Sequence, residues 1–101
     1  MDELLQWLRQ QTAGVRVFSQ FCEKALALRG SEPQHAAMAR LLATLAGNFS
    51  EAYFSEPLPL DVAERALVRL TALVENAVRA RAAGLAEEMS LLNELAMAEL
   101  I

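Results

Sequence analysis

From Asp61 to Ile101 the chain contains no proline, and one apolar face keeps its phase throughout. At about 100° per residue, the period of an α-helix, Val62, Ala63, Ala66, Leu67, Leu70, Val74 and Val78 fall in a single arc. Leu85, Met89, Leu91, Leu92, Leu95, Ala96 and Leu100 fall in the same arc. Leu67 and Leu85 stand five turns apart at about 3.6 residues per turn, one above the other. This pattern predicts one helix of about 60 Å, at roughly 1.5 Å per residue. A chain this short cannot cover such a helix by folding on itself, so the surplus apolar surface calls for a partner.

The rest of the sequence supports an all-α fold in a single domain spanning residues 1–101. With 101 residues the chain can bury one modest core. The hydrophobic share is 54%, alanine and leucine predominate, and only 4 residues are glycine, which favours helix. No stretch alternates with the period of a strand.

A first helix is predicted from Asp2 to Arg29, with Leu4, Trp7, Leu8, Val15, Phe18, Phe21, Cys22, Ala25 and Leu28 in an arc about 200° wide, more than one neighbour covers. Gly30 reads as its C-terminal stop and Ser31 as the N-cap of the next helix, in a capping box running from Ser31 to Gln34 with Pro33 in the first turn. The second helix, Glu32 to Tyr53, carries Met38, Leu41, Leu42, Leu45, Phe49, Ala52 and Tyr53 on one face, with Arg40, Gly47 and Glu51 opposite. These two helices should form an antiparallel hairpin. Ser55 to Leu60 is a loop stiffened by Pro57 and Pro59. Asp61 with Glu64 repeats the capping-box pattern, and Leu60 is placed to staple the helix entry.

Gly84 is the ambiguous position. A glycine inside a helix costs about 1 kcal/mol relative to alanine. It can also end one helix and begin another, giving a four-helix bundle. No Ser, Thr, Asp or Asn follows it to cap a new helix, and the apolar phase is unbroken. The continuous helix, three helices in all, is therefore the preferred expectation.

Arg81 and Glu88 lie inside the apolar arc of this third helix, where charge is expensive unless paired. Seven residues apart, about 10.5 Å along the axis, they cannot meet within one straight helix. Two copies packed antiparallel and crossing at Gly84 would set Arg81 of each against Glu88 of the other, an isologous dimer contact. The bland counterpart is that both side chains reach out to water from the edge of the arc. A row of Arg65, Arg69 and Arg79 on the outer face suggests a possible anion contact. Equally it is a solvated face, with Glu75 placed to pair with Arg79 one turn on.

The catalytic inventory is thin. His35 stands alone, with no further metal ligand on its face. Cys22 is the sole cysteine, excludes an intrachain disulfide, and sits in the first helix stripe as a small core residue. Gln11 falls mid-stripe and needs a hydrogen-bonding partner. Glu87, Glu88, Glu94 and Glu99 form no Glu-x-x-His pattern, and no phosphate loop or CxxC is present. No cofactor, metal or catalytic residue is expected, and no motif resembles that of a known family.

The net charge of −4, with no cation beyond Arg81, weighs against nucleic acid as a partner. The acidic start Met1-Asp2-Glu3 is unlike a signal peptide, and no run reaches the length of a membrane span. Together with the lone cysteine these features suggest a cytoplasmic protein.

The function that emerges is a small non-catalytic interaction module: an adaptor, a regulatory protein or a secretion-type chaperone acting as a homodimer. Its partner and dimer surface would comprise Trp7, Phe21, Arg81, Gly84, Leu85, Glu88, Met89, Leu92 and Leu95. Phe18 belongs to the same stripe but reads better as intrachain core. The alternative is a nucleic-acid-associated regulator using the arginine row.

Overall fold

A computed structural model describes residues 1–100. Five α-helices make up the described chain: α1 (Asp2–Arg9), α2 (Val15–Ser31), α3 (Ala36–Ala52), α4 (Leu60–Ala83) and α5 (Leu85–Met97). A short 3-10 turn, Pro33–His35, links α2 to α3. The all-α expectation holds, and every predicted apolar helix segment is helical in its interior. Two of the three predicted helices are each divided in two.

The first division separates α1 from α2. The expected Asp2–Arg29 helix stops at Arg9 and resumes at Val15 after an extended Gly14. The Gln11 amide turns back and donates to the Trp7 carbonyl at 3.0 Å, an acceptor it shares with the Gln10 N–H at the end of α1. The arc of about 200° is the physical reason for the break. Two shorter helices lay Leu4, Leu5 and Leu8, and then Val17, Phe18, Phe21 and Ala25, onto one core from different directions.

Gly30 and Ser31 lie inside α2 and are not its stop and the next N-cap. The helix ends instead at Ser31, because the backbone of its C-cap Glu32 is pushed out of the helical region by Pro33, as residues before proline are. Regular α-helix restarts only at Ala36, so the predicted second helix loses its first turn.

The second division is at Gly84. The predicted Asp61–Ile101 helix is two antiparallel helices joined by this single residue, whose φ of 127° and ψ of −178° are accessible in practice only to glycine. Ile101, its predicted end, lies outside the described residues. The apolar phase is continuous across the break, but the chain uses it to fold α5 back over the bundle. At the other end, α4 begins at Leu60 behind Pro59, with no side-chain cap. Asp61 sits in the first turn, 3.8 Å from Arg65, and Leu60 is exposed and staples nothing.

Helices α2 and α3 form the antiparallel hairpin that was expected, and it is packed tightly. Ala25, Ala39, Ala43 and Ala46 are fully or almost fully buried. Gly47, predicted to lie opposite the apolar face, approaches Cys22 so closely that an added Cβ would lie 3.4 Å from its sulfur. Phe18 and Phe49 close one end of the hairpin with ring centroids 4.5 Å apart in a tilted pair, and Tyr53 extends the stack.

Helix α4, about 36 Å long at roughly 1.5 Å per residue, runs beside this hairpin and carries α1 and α5 on its flanks. Ala63, Ala66, Leu70, Leu73, Val74 and Ala77 form its inner face. Arg9 of α1 donates to Glu75 of α4 at 2.8 Å, so Glu75 pairs across helices and not with Arg79.

Phe18 and Phe54 provide a contrast in burial, at 0% and 89% exposure. Phe18→Ala should cost about 3–5 kcal/mol of unfolding free energy, whereas Phe54→Ala should stay within about 0.5 kcal/mol. Urea denaturation followed by circular dichroism measures both.

Candidate functional site

Two regions gather the residues that bear on function. One is the outer side of the α4–α5 hairpin. The other is a polar cluster where the N-terminus meets the α2–α3 connection.

The reversal at Gly84 sets the first. Helix α5 lies against α4 and α3 through Leu91 and Leu95, both buried, and Leu92, half-buried against the same core. Leu100 is also buried, and the Arg69 guanidinium donates to the Glu99 carbonyl at 2.8 Å, tying the end of the chain back to α4. Arg69 and Glu99 are equally far along the chain from Gly84, as an antiparallel hairpin centred there requires.

The apolar arc of α5 is wider than the face it buries. Leu85 is 84% exposed and Met89 59%, one turn apart on the same side, with exposed Ala96 continuing the strip. Between α4 and α5, on the opposite side of α5, runs an open groove of about 270 Å³. Ala80, Ala83 and Leu91 line it together with Asn76, Arg79, Glu87, Ser90 and Glu94.

The expected interface residues therefore divide. Leu85, Met89 and Gly84 are at the surface of the hairpin or at its turn. Phe21 and Leu95, expected at a partner surface, are core, at 0% and 2% exposure. Phe18 is core as well. Trp7 is half-buried, with the Lys24 ammonium 5.0 Å from its ring centroid. The sequence period placed all of these on apolar arcs correctly, but it could not divide an arc between a neighbour in the same chain and open surface.

Arg81 and Glu88 do meet within one chain, against the expectation for a straight helix. Their side chains approach to 3.9 Å across the turn, because Gly84 folds the two residues onto facing helices. The arginine row is committed internally: Arg65 lies near Asp61, Arg69 holds the Glu99 carbonyl, and Arg79 bonds the Asn76 amide oxygen. Arg65 and Arg69 border one open groove on α4 together with Asp61 and Glu64, whose carboxylates oppose an anion there, and Arg79 lies apart from them on the groove between α4 and α5.

The second region was not visible in the sequence. The Met1 ammonium donates to both carboxylate oxygens of Glu32, at 3.2 and 3.1 Å. His35 Nδ1 lies 2.8 Å from the same carboxylate and, since an ionised carboxylate only accepts, carries the proton. His35 Nε2 is buried without a hydrogen-bond partner. Beside this cluster a cavity of about 50 Å³ is lined by Met1, Gln34, His35, Met38, Ala77, Arg81, Glu88 and Leu92, among others. It has room for a water molecule, and in a largely apolar lining Gln34, His35, Arg81 and Glu88 supply the polar groups.

The N-terminal ammonium, and secondarily His35, holds the Glu32 carboxyl below its ordinary value, against the opposing effect of burial. Burial also pushes the Cys22 thiol up, which favours the unreactive protonated form, and Glu23 adds to this. Among the described residues no group of three or more His, Cys, Asp or Glu side chains is placed to hold a metal ion. No helix among the described residues is long and apolar enough to cross a membrane.

Because the folded-state pKa of Glu32 is lowered, its contribution to stability is complete above the unfolded value near 4.5 and is lost as acid titrates the folded carboxylate. Glu32→Gln should therefore be less stable than the native chain at neutral pH, with a gap that closes below about pH 4.5. Thermal unfolding of both proteins at a series of pH values tests this, and a gap independent of pH would remove the ion pair as its source.

No protein-family model, no curated protein and no solved structure matches this chain.

Proposed function

We propose that this chain is a non-catalytic protein–protein interaction module of the adaptor, regulatory or secretion-chaperone kind, and that it associates first with a second copy of itself. The observation that carries this reading is the uncovered half of the α5 apolar arc. Helices earn burial by matching the width of the apolar stripe to the neighbours available. Leu91 and Leu95 on one side of α5 are buried, while Leu85 and Met89, on the same arc, lie open. A leucine and a methionine one turn apart form the kind of anchor that helix-in-groove contacts use, and methionine adapts to uneven partner surfaces.

The acidic balance of the chain supports a protein partner over nucleic acid. The competing arginine-row reading has no such support, since each of those side chains is directed at an acceptor in its own chain. Catalysis finds no constellation to use. Cys22 packs against Gly47 with its thiol pushed up, and His35 is occupied with Glu32.

Light scattering on a sizing column tests the reading. The native chain is expected to elute as a dimer, and Leu85→Glu/Met89→Glu as a monomer of unchanged helical content. A native chain that stays monomeric at every concentration, indistinguishable from the double variant, would overturn it.

A further inference from the structure

We infer that the two copies associate by exchanging α5, with Gly84 as the hinge; this rests on the self-association just proposed and names its geometry. In the closed chain α4 ends at Ala83 and α5 begins at Leu85, so a single residue has non-helical torsions. Helical hydrogen bonds run up to it on both sides, from Gly84 N–H to the Ala80 carbonyl and from Glu88 N–H to the Gly84 carbonyl. Rotating one residue into the helical region joins the two helices into one. Four features of the chain favour that rotation once a second copy is present.

The closed torsions of Gly84 lie where other residues are strained, and even glycine surrenders freedom to hold them. Helix α5 has no side-chain cap, so its first N–H groups lack intrahelical partners that a continuous helix would supply. The apolar phase is unbroken through Gly84, so the opened helix is amphipathic along its whole length. Finally, Leu85, exposed in the closed chain, falls into line with Leu67, which packs against the core.

Opening alone would strip Leu91, Leu95 and Leu100 from the core, so a straightened monomer is costly. A second opened copy restores every one of those contacts. The paired positions flank the hinge: Arg69 and Glu99 symmetrically, and Arg81 and Glu88 to within one residue. Two antiparallel long helices crossing at Gly84 therefore rebuild the same pairs between chains, and short strained hinges are known to favour such exchange. The partner is a second copy of this chain contributing its own α5.

The test is a cross-link whose chain connectivity differs between the two arrangements. In a Cys22→Ala background, Arg81→Cys/Glu88→Cys is treated with a short bis-maleimide after the dimer peak has been isolated and diluted. Exchange predicts covalent dimers on a denaturing gel. Covalent monomers from a genuine dimer would overturn exchange and leave the Leu85–Met89 strip as the contact. Gly84→Ala penalises the closed torsions and should tighten the dimer by about tenfold or more. Should that variant fail to fold, the cross-linkable protein refolded at high concentration gives the same readout. Three glycines inserted after Gly84 relax the hinge and should return the chain to a monomer; a dimer of undiminished affinity would overturn the inference.

Discussion

Everything in this fold depends on the reversal at Gly84. The third apolar stretch of the sequence is too long to be covered as a straight rod by the rest of so small a chain. Folding it in half converts an unpayable exposed surface into an antiparallel hairpin whose inner side joins the core. The cost falls on one backbone position, held in torsions that a residue with a Cβ resists. Two further contacts follow from that turn. Arg81 reaches Glu88, and Arg69 reaches the Glu99 carbonyl, only because the residues flanking Gly84 face each other.

Around this hairpin the bundle is assembled by size matching. Small residues, with Ala25, Ala39, Ala43 and Ala46 in the lead, let α2 and α3 approach closely, and Gly47 admits the Cys22 sulfur. Large residues gather at one end of the hairpin, where Phe18, Phe49 and Tyr53 stack. The polar cluster of Met1, Glu32 and His35 ties the start of the chain to the α2–α3 connection. Its position depends on Pro33, which holds Glu32 out of the helix at the end of α2, where its side chain meets the Met1 ammonium. The functional proposal concerns what this assembly leaves over, the outer half of the α5 arc, and the hinge from which that arc is presented.

Much of this was legible in the residues. The helical period located the interior of every helix. The Ser55–Leu60 segment separated α3 from α4, whereas Gly84 was flagged only as an ambiguous position, and the unbroken apolar phase favoured the continuous helix that the structure does not form. Other features were not legible. The break after Arg9 carries only a weak signal in Gln11, Thr12 and Gly14, while the apolar phase runs on undisturbed on either side. Ser31 met the pattern of an N-cap, but the steric demand of Pro33 on Glu32 decided where α2 ends. The Met1–Glu32–His35 cluster joins residues with no shared period, so no pattern in the chain announces it.

The sequence by itself determined that this protein is all-α, which faces of its helices are apolar, and where glycine permits a turn. These are properties of single residues and of spacing along one helix. Only the tertiary structure decided how each apolar arc is divided between core and surface. Phe21 and Leu95 went inside while Leu85 and Met89 stayed out, although all four carry the same sequence signal. The physical reason is that burial depends on which neighbours a helix meets, and those neighbours are set by the turns. At Gly84 in particular, two torsion angles separate a long rod from a closed hairpin, and the spacing of apolar residues fits both.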